Sequence, residues 1–446
     1  MKKILFFLVL LLFLITRVYK IASIPPSVYW DEASIGYNAY SVLKTGRDEW
    51  GEFLPLHFRA FGEFKLPVYI YSVVPLVKIF GLNEIAVRLP AVFYSLGTLV
   101  LMYLLTKRIT GKKAIGLLSS FILSISPWLF IFSRTGYEVT AGLFFFLLGT
   151  YLFLINDKNK FYLLFGILGF ILSFYSYNSF RIIIPIWLFV LLFYTFRKTN
   201  TQILIFSLSI FLLSLIPVYR LYKFDAGGVR FAQVKITSKT DFVKNYFSHF
   251  SPQFLFLKGD ANPRSQIPGH GQLYLIEIPL ILLGFWVIIR SKRALFYLPL
   301  ITLFLAPIPA ALTKESPHAL RALLAAPSFA MISAFGIKFL AGNFKKYAKA
   351  ILVGTISIYL FSFGIYFKDF LTKYSKEMAN DWQYPYKQIF TSQKSGMVTD
   401  EYAQPYIFAL YYLKYPPEKF RETVKYNPVD KWGFSLVSSF GDFQFK

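Results

Sequence analysis

The polar residues best placed to do chemistry lie together in one stretch of an otherwise apolar chain. Asp31-Glu32 stands a few residues past the first apolar run, Ile4 to Ile15 with a tail to about Ala22. Gly62-Glu63-Phe64-Lys65-Leu66-Pro67 follows in the same polar stretch. A carboxylate can accept the proton of an attacking hydroxyl, and cations can carry the charge of a departing phosphate. Neighbouring residues on a helix point about 100° apart, so Asp31 and Glu32 cannot both face one site. Asp31 is the candidate general base. Glu32 is a candidate substrate contact, a helix cap or a solvated acid, and the plain alternative is that both acids belong to an interfacial helix start, where carboxylates favour the dipole. Lys65 is a candidate phosphate ligand, with a snorkelling lysine as the plain alternative. Glu63 either orients Lys65 or serves as a second acid.

Three arginines recur at the ends of apolar segments on the side of these acids: Arg134 in Phe132-Ser133-Arg134, Arg181 in Tyr177-Asn178-Ser179-Phe180-Arg181, and Arg321 in Pro317-His318-Ala319-Leu320-Arg321. Guanidinium forks match phosphate oxygens, so these arginines with Lys65 are a candidate clamp on a lipid-borne phosphate. His57, Glu138 and His318 are further candidate substrate contacts. Arg264, in Gly259-Asp260-Ala261-Asn262-Pro263-Arg264, reads first as a residue of the lid-like loop and second as a contact to a lipid headgroup. The four histidines, His57, His249, His270 and His318, lack metal-ligand spacing. No metal ligands are assigned, and a divalent cation is open but not favoured. Without a phosphate-cradling Gly-rich loop, His-Glu-x-x-His or Gly-x-Ser-x-Gly, nucleotide hydrolysis, zinc proteolysis and serine hydrolysis have no support.

What must position these groups is a membrane scaffold. The chain of 446 residues is 56% hydrophobic and only 16% charged, which points to a polytopic membrane protein rather than a soluble one. Apolar segments fall near 4–22, 86–106, 114–132, 139–155, 161–177, 181–196, 202–221, 273–289, 294–312, 320–341 and 350–368, or roughly eleven spans at ~20 residues each. Arg17, Tyr19 and Lys20 follow the first run where a cleavage site would need small residues, so it reads as an uncleaved span. With the N-terminus cytoplasmic, the inner connections hold Lys107, Arg108, Lys112 and Lys113, then Lys158 and Lys160, Arg197 and Lys198, Arg290, Lys292 and Arg293, and Lys345, Lys346 and Lys349. That is the positive-inside pattern, and it leaves the C-terminus outside a plasma (inner) membrane. The net charge of +25 is spread over both faces, so anionic membrane lipid rather than nucleic acid is the partner it implies.

Residues 1–370 then form a transmembrane unit with two long outer loops, 23–85 and a lid-like 223–272. The first loop carries two helices lying at the membrane surface. One is capped by Asp31, bears Ile35, Ala39 and Leu43 on one face and ends at Gly46; the other starts near Pro67. Residues 371–446 form a small outer α/β domain, with a strand at Met397-Val398-Thr399, a helix from Pro405 to Leu413 and a hairpin from Phe434 to Phe443 around Gly441-Asp442. The chain has no cysteine, so no disulfide holds this part together.

The run Tyr29-Trp30-Asp31-Glu32-Ala33, then Gly36-Tyr37, then the Glu63/Lys65/Pro67 cluster resembles the first outer loop of the GT-C membrane glycosyltransferases. The nearest branch holds the protein O-mannosyltransferases and the aminoarabinose transferases that modify lipid A. Ser126-Pro127-Trp128 with Phe132-Ser133-Arg134 and Glu138 is similar to an outer turn of the same group. The resemblance covers about the first 190 residues well, later spans by topology and the tail loosely. It implies an all-α GT-C fold and an inverting transfer of a sugar from a polyprenyl-phosphate carrier to an acceptor hydroxyl on lipid, glycan or protein. It matches Asp31 to the base, and Glu63 with Lys65 to the acidic–basic element at the donor phosphate. Relatives often have adjacent Glu-Lys there, whereas Phe64 intervenes here. No Asp-x-Asp nucleotide-sugar motif occurs, consistent with a lipid donor. The alternatives are a lipid-linked-sugar flippase or transporter, a polysaccharide ligase or polymerase, and a non-catalytic assembly factor. A transporter would want polar groups deep within several spans.

Overall fold

A computed structural model describes residues 2–195, 199–225, 227–429 and 436–446. The protein is a polytopic bundle of helices. Among the described residues, six are long and apolar enough to cross a bilayer: Glu84–Thr110, Asn178–Thr195, Thr201–Phe224, Ala294–Ala311, Ala325–Asn343 and Lys345–Glu377. The remaining apolar segments form shorter helices, Lys2–Val18, Lys113–Ile125, Val139–Leu154, Phe161–Phe174 and Glu277–Ile289. Lys113–Ile125 has 13 residues and covers about 20 Å, so the extra turn Pro127–Phe130 completes its reach. Two of the inner cations expected from the sequence, Arg197 and Lys198, lie outside the described residues.

Lipid tails give no hydrophobic drive between helices, so close backbone approach supplies the attraction. Helices Glu277–Ile289 and Ala325–Asn343 show how. A Cβ on Gly284 would lie 2.1 Å from the Ile332 carbonyl oxygen, and one on Gly336 would lie 2.0 Å from that of Leu280. Only glycine permits this contact.

The segment after the first helix forms both expected helices, Trp30–Thr45 and Pro67–Phe80. Gly46 ends the first in the left-handed region, and proline opens the second. Asp31, however, is not a cap. Tyr29 holds the N-cap position with no side-chain cap bond, and the Asp31 carboxylate goes to Lys65. Nor is the helix simply laid on a surface: Glu32 to Ala39 are all buried. Pro67–Phe80 covers one side and the late helix Pro405–Tyr412 covers another. At Gly36 a Cβ would sit 2.6 Å from the Tyr411 ring and 2.8 Å from Val87, so this seam also requires glycine.

After Glu377 the chain builds a four-stranded sheet in the order Gly396–Val398, Phe443–Phe445, Val437–Phe440, Lys425–Tyr426. The first pair is parallel and the other two are antiparallel. The hairpin closes at Gly441-Asp442, as its sequence indicates; Phe434, expected at its start, lies outside the described residues.

One acid stitches this C-terminal region to the first loop. Glu49 is buried beside Asp48. It accepts from Tyr406 Oη at 3.2 Å and from Asn38 Nδ2 at 3.4 Å, and its own N–H donates to Asn38 Oδ1 at 3.0 Å. Trp50 stacks on Tyr426 at 4.7 Å, and the Arg59 guanidinium lies 4.3 Å from the Trp50 ring on the same joint. Burial first, and then the Asp48 charge, pushes the Glu49 carboxyl up to about 8. The folded form therefore holds the proton more tightly than the unfolded chain. Stability from Glu49 is full below the unfolded value near 4.5 and is lost as pH rises through about 8. We predict that the melting temperature of purified protein falls between pH 5 and pH 8.5, and that Glu49→Gln reduces that slope, the raised carboxyls of Asp48 and Glu138 supplying the rest. An equal slope in the Gln variant would assign it to another group.

Candidate functional site

The site is assembled by a short hairpin. Strand Phe58–Arg59 pairs antiparallel with Phe64–Lys65, with Phe58 opposite Lys65 and Arg59 opposite Phe64. The Ala60 N–H donates to the Glu63 carbonyl at 2.9 Å, with Gly62 at φ +83° closing the turn. In extended chain, residues two apart share a face, so Glu63 and Lys65 meet across the intervening Phe64. The interruption of the Glu-Lys pair is thus bridged by strand geometry.

Lys65 Nζ donates to Asp31 Oδ1 and to Glu63 Oε1, the latter at 3.2 Å. The lysine side chain is 3% exposed, whereas those of Asp31 and Glu63 are 24% and 31% exposed. The ammonium is therefore enclosed while both carboxylates keep an open edge. Burial alone would lower the Lys65 pKa, but Asp31, Glu63 and Glu138 overcome it and raise the value well above the ordinary range. Lys65 is cationic throughout the physiological range. Glu138, directly before helix Val139–Leu154, is pushed up to about 7 by burial, with Lys65 opposing and Asp31 and Glu63 adding to the rise.

An arginine stands beside this group. Arg264 lies 5.4 Å from the Tyr29 ring and 5.5 Å from the Trp30 ring, beside Asp31. Its Nη1 donates to the Asp381 carbonyl at 3.1 Å, and its Nε is buried with no hydrogen-bond partner among the described residues. The loop reading of Arg264 missed this; only tertiary placement brings it to Trp30. Arg321 donates from Nη1 to Thr313 Oγ1 at 2.6 Å and pairs with Glu315 at 3.7 Å.

The turn before Arg321 is fixed from below. Ala319 N–H donates to Asp260 Oδ2 at 2.6 Å, and His318 N–H donates to His249 Nε2 at 3.0 Å. His318 is buried with Nδ1 3.8 Å from Asp260, and burial holds its pKa well below the ordinary value. It supports the turn rather than opening toward a substrate. His57 meets Arg181, whose Nη2 lies 3.1 Å from His57 Nε2. Burial and then the guanidinium lower His57 to about 4. The imidazole is therefore neutral and accepts from Arg181.

Two expected site residues are committed elsewhere. Glu32 is fully buried and grips Arg88 with both oxygens, Nε–Oε1 at 3.0 Å and Nη2–Oε2 at 3.1 Å, while Gly136 N–H donates to Oε1 at 2.7 Å. It faces no substrate. Arg134 is equally buried and donates to the carbonyls of Thr16, Arg17, Tyr19 and Ile24. These are the unpaired carbonyls at the end of helix Lys2–Val18 and just beyond, which any helix terminus leaves needing donors. Both its Nη atoms are committed to these carbonyls within the protein. Arg88, which the sequence reading passed over, donates to the Ile21, Pro25 and Ser27 carbonyls as well as to Glu32.

With this geometry in view, similarities to known proteins can be placed. Residues 65–222 match the family described as dolichyl-phosphate-mannose-protein mannosyltransferase. An uncharacterized protein of Aquifex aeolicus is 39% identical over 131 residues, which is 28% of this chain and 24% of that protein. The fold is similar to that of ArnT from Cupriavidus metallidurans, solved without ligand, with a TM-score of 0.58 at 12% identity over 93% of this chain and 84% of ArnT. ArnT has also been solved bound to undecaprenyl phosphate, with a TM-score of 0.55, 12% identity and the same coverage. The archaeal oligosaccharyltransferase AglB from Archaeoglobus fulgidus, in complex with an inhibitory peptide and a dolichol-phosphate, gives 0.55 at 11% identity over 84% of this chain and 56% of AglB. At these identities the likeness is one of fold.

The Glu32–Arg88 pair offers a direct check on this assignment of roles. Arg88→Ala leaves a buried, uncompensated carboxylate and should cost about 3–5 kcal/mol of stability. The double variant Glu32→Gln/Arg88→Met should melt well above Arg88→Ala, because no lone charge remains. If Arg88→Ala melts like wild type, the pair is not structural.

Proposed function

We propose that this GT-C-fold membrane protein is a glycosyltransferase that moves a sugar from a polyprenyl-phosphate carrier to an acceptor hydroxyl, with inversion at the anomeric carbon. The observation that carries the reading is the Lys65 ammonium held between the Asp31 and Glu63 carboxylates, with Arg264 over Tyr29 and Trp30 beside them. The mannosyltransferase-family match over residues 65–222 and the fold shared with ArnT and AglB support the lipid-linked donor.

The chemistry follows from the charges. The acceptor oxygen attacks the anomeric carbon as its bond to the carrier phosphate breaks, through an oxocarbenium-like state. The carrier phosphate leaves as a weak base, so cations rather than a general acid are its main help. Lys65, Arg264 and Arg321 are the groups for that task. Arg181, paired with His57, is a secondary contributor, and Arg134 is excluded by its carbonyl contacts. As the donor phosphate takes up Lys65, the Asp31 carboxylate is released from its ion pair and is free to accept the hydroxyl proton. Glu63 keeps Lys65 aimed before the donor arrives. Glu138 adds negative charge near Lys65 only above about pH 7, where it opposes an anionic donor.

The decisive experiment is transfer by purified Asp31→Asn, which keeps the size but cannot accept a proton. Turnover should drop roughly 100- to 10,000-fold while polyprenyl-phosphate binding persists. Turnover near wild type would remove Asp31 from this role and point to Glu63.

The site end of the bundle is the extracytoplasmic one in this reading, with the N-terminus cytoplasmic. Support comes from the opposite end, where Lys107, Arg108, Lys112 and Lys113 gather and Arg108 pairs with Asp157 at 2.9 Å. The absence of native cysteine makes the check clean. Cysteines placed at Asp400 and at Lys112 should react with an impermeant reagent from outside and from inside respectively, and the reverse pattern would overturn the orientation.

A further inference from the structure

The helix Thr201–Phe224 presents most of its surface outward, only 17% of its apolar window being buried within the protein. It ends in exposed aromatics, Tyr219, Tyr222 and Phe224, the residue types that favour the membrane–water boundary. The chain that follows therefore starts at headgroup level. It forms the helices Val229–Val234 and Lys239–Ser248.

The second of these is tied down on one side only. Asn245 Nδ2 donates to the Thr313 carbonyl at 2.9 Å, and Tyr246 Oη donates to the Phe304 carbonyl at 2.8 Å. Both acceptors lie on or just past the helix Ala294–Ala311. Lys239, Val243 and Phe247 recur at four-residue intervals and so lie along a single stripe. All three are exposed, Phe247 by 64%. Phe231 is exposed on the preceding helix. Across 229–248 the exposed cations Arg230, Lys235, Lys239 and Lys244 face a single carboxylate, Asp241. Large apolar side chains interleaved with cations, beginning where a lipid-facing helix ends, suit an anionic bilayer surface: the rings enter the acyl boundary and the ammonium groups stay among the phosphates.

We propose that Val229–Val234 and Lys239–Ser248 form a docking surface for anionic phospholipid headgroups of the surrounding bilayer. This goes beyond the transfer reaction and does not depend on it. Arg230 gives the surface a link to the site, since its Nε lies 3.7 Å from Glu63 Oε2, the carboxylate that holds Lys65. Lipid-anchored cations on this segment hold Arg230 where it meets the hairpin.

The test uses full-length protein in phosphatidylcholine vesicles, with a single fluorophore on Val243→Cys. Equal small amounts of phosphatidylglycerol or phosphatidylcholine are added, each carrying a nitroxide near its headgroup. The expected result is quenching by both lipids, with phosphatidylglycerol stronger by about twofold or more at low salt. The advantage should vanish in about 0.5 M salt, where the screening length falls to a few ångströms. It should also vanish in Lys235→Gln/Lys239→Gln/Lys244→Gln, while quenching by phosphatidylcholine persists and reports that the helix is still seated. Equal quenching by both lipids in the unmutated background overturns the proposal. So does the absence of quenching by either, which would turn the surface toward a soluble polyanion. Phe247→Cys serves as a second reporter position if Val243→Cys does not fold.

Discussion

The structure depends on how the backbone leaving the first helix is satisfied. Between Thr16 and Ser27 the chain changes from helix to the approach of the site helix, and its carbonyls turn inward, away from water. Two buried arginines collect them: Arg134 takes Thr16, Arg17, Tyr19 and Ile24, and Arg88 takes Ile21, Pro25 and Ser27. An unpaired carbonyl in so dry a place would cost as much as a lost hydrogen bond. Each guanidinium serves several at once because its five donors are spread in a fixed plane. Arg88 then brings Glu32 into the same network, which sets the rotation of the helix Trp30–Thr45.

That rotation is what aims Asp31. With Glu32 locked inward, its neighbour is turned about 100° around the axis, toward the hairpin that carries Lys65. The two adjacent acids thus divide between a buried anchor and a partly open carboxylate paired with Lys65. The division is one of environment rather than residue type: a buried cation on one side, and on the other an enclosed ammonium with carboxylate edges open to a ligand.

Much of this was legible in the sequence, for identifiable reasons. Asp31, Glu63 and Lys65 stood out because charge in a mostly apolar chain is conspicuous, and their spacing suits an extended hairpin. The apolar segments announced the helices, and turn residues such as Gly441-Asp442 announced the late hairpin. Arg134 was conspicuous for the right reason and assigned for the wrong one. A guanidinium meeting a lipid phosphate and one meeting backbone carbonyls look alike in sequence, because the carbonyls belong to distant residues. Arg88 was hidden within a long apolar helix. Arg264 was hidden because its partners, Tyr29 and Trp30, lie far away in the chain. The packing of Pro405–Tyr412 on the helix that bears Asp31 left no trace in periodicity at all.

That last packing has a consequence for how the protein is made. The seam between Gly36 and Tyr411 joins an early helix to one that emerges near the end of synthesis, and Glu49 meets Tyr406 across 357 residues of sequence. At ribosomal rates of about 5–20 residues per second, the early helix waits on the order of tens of seconds for its cover. Pro67–Phe80 can pack against it early, but throughout that interval the face that meets Tyr411 is without its cover. The helix Trp30–Thr45 therefore cannot reach its final surroundings until nearly every span is in place, so assembly of the bundle comes before completion of the candidate site.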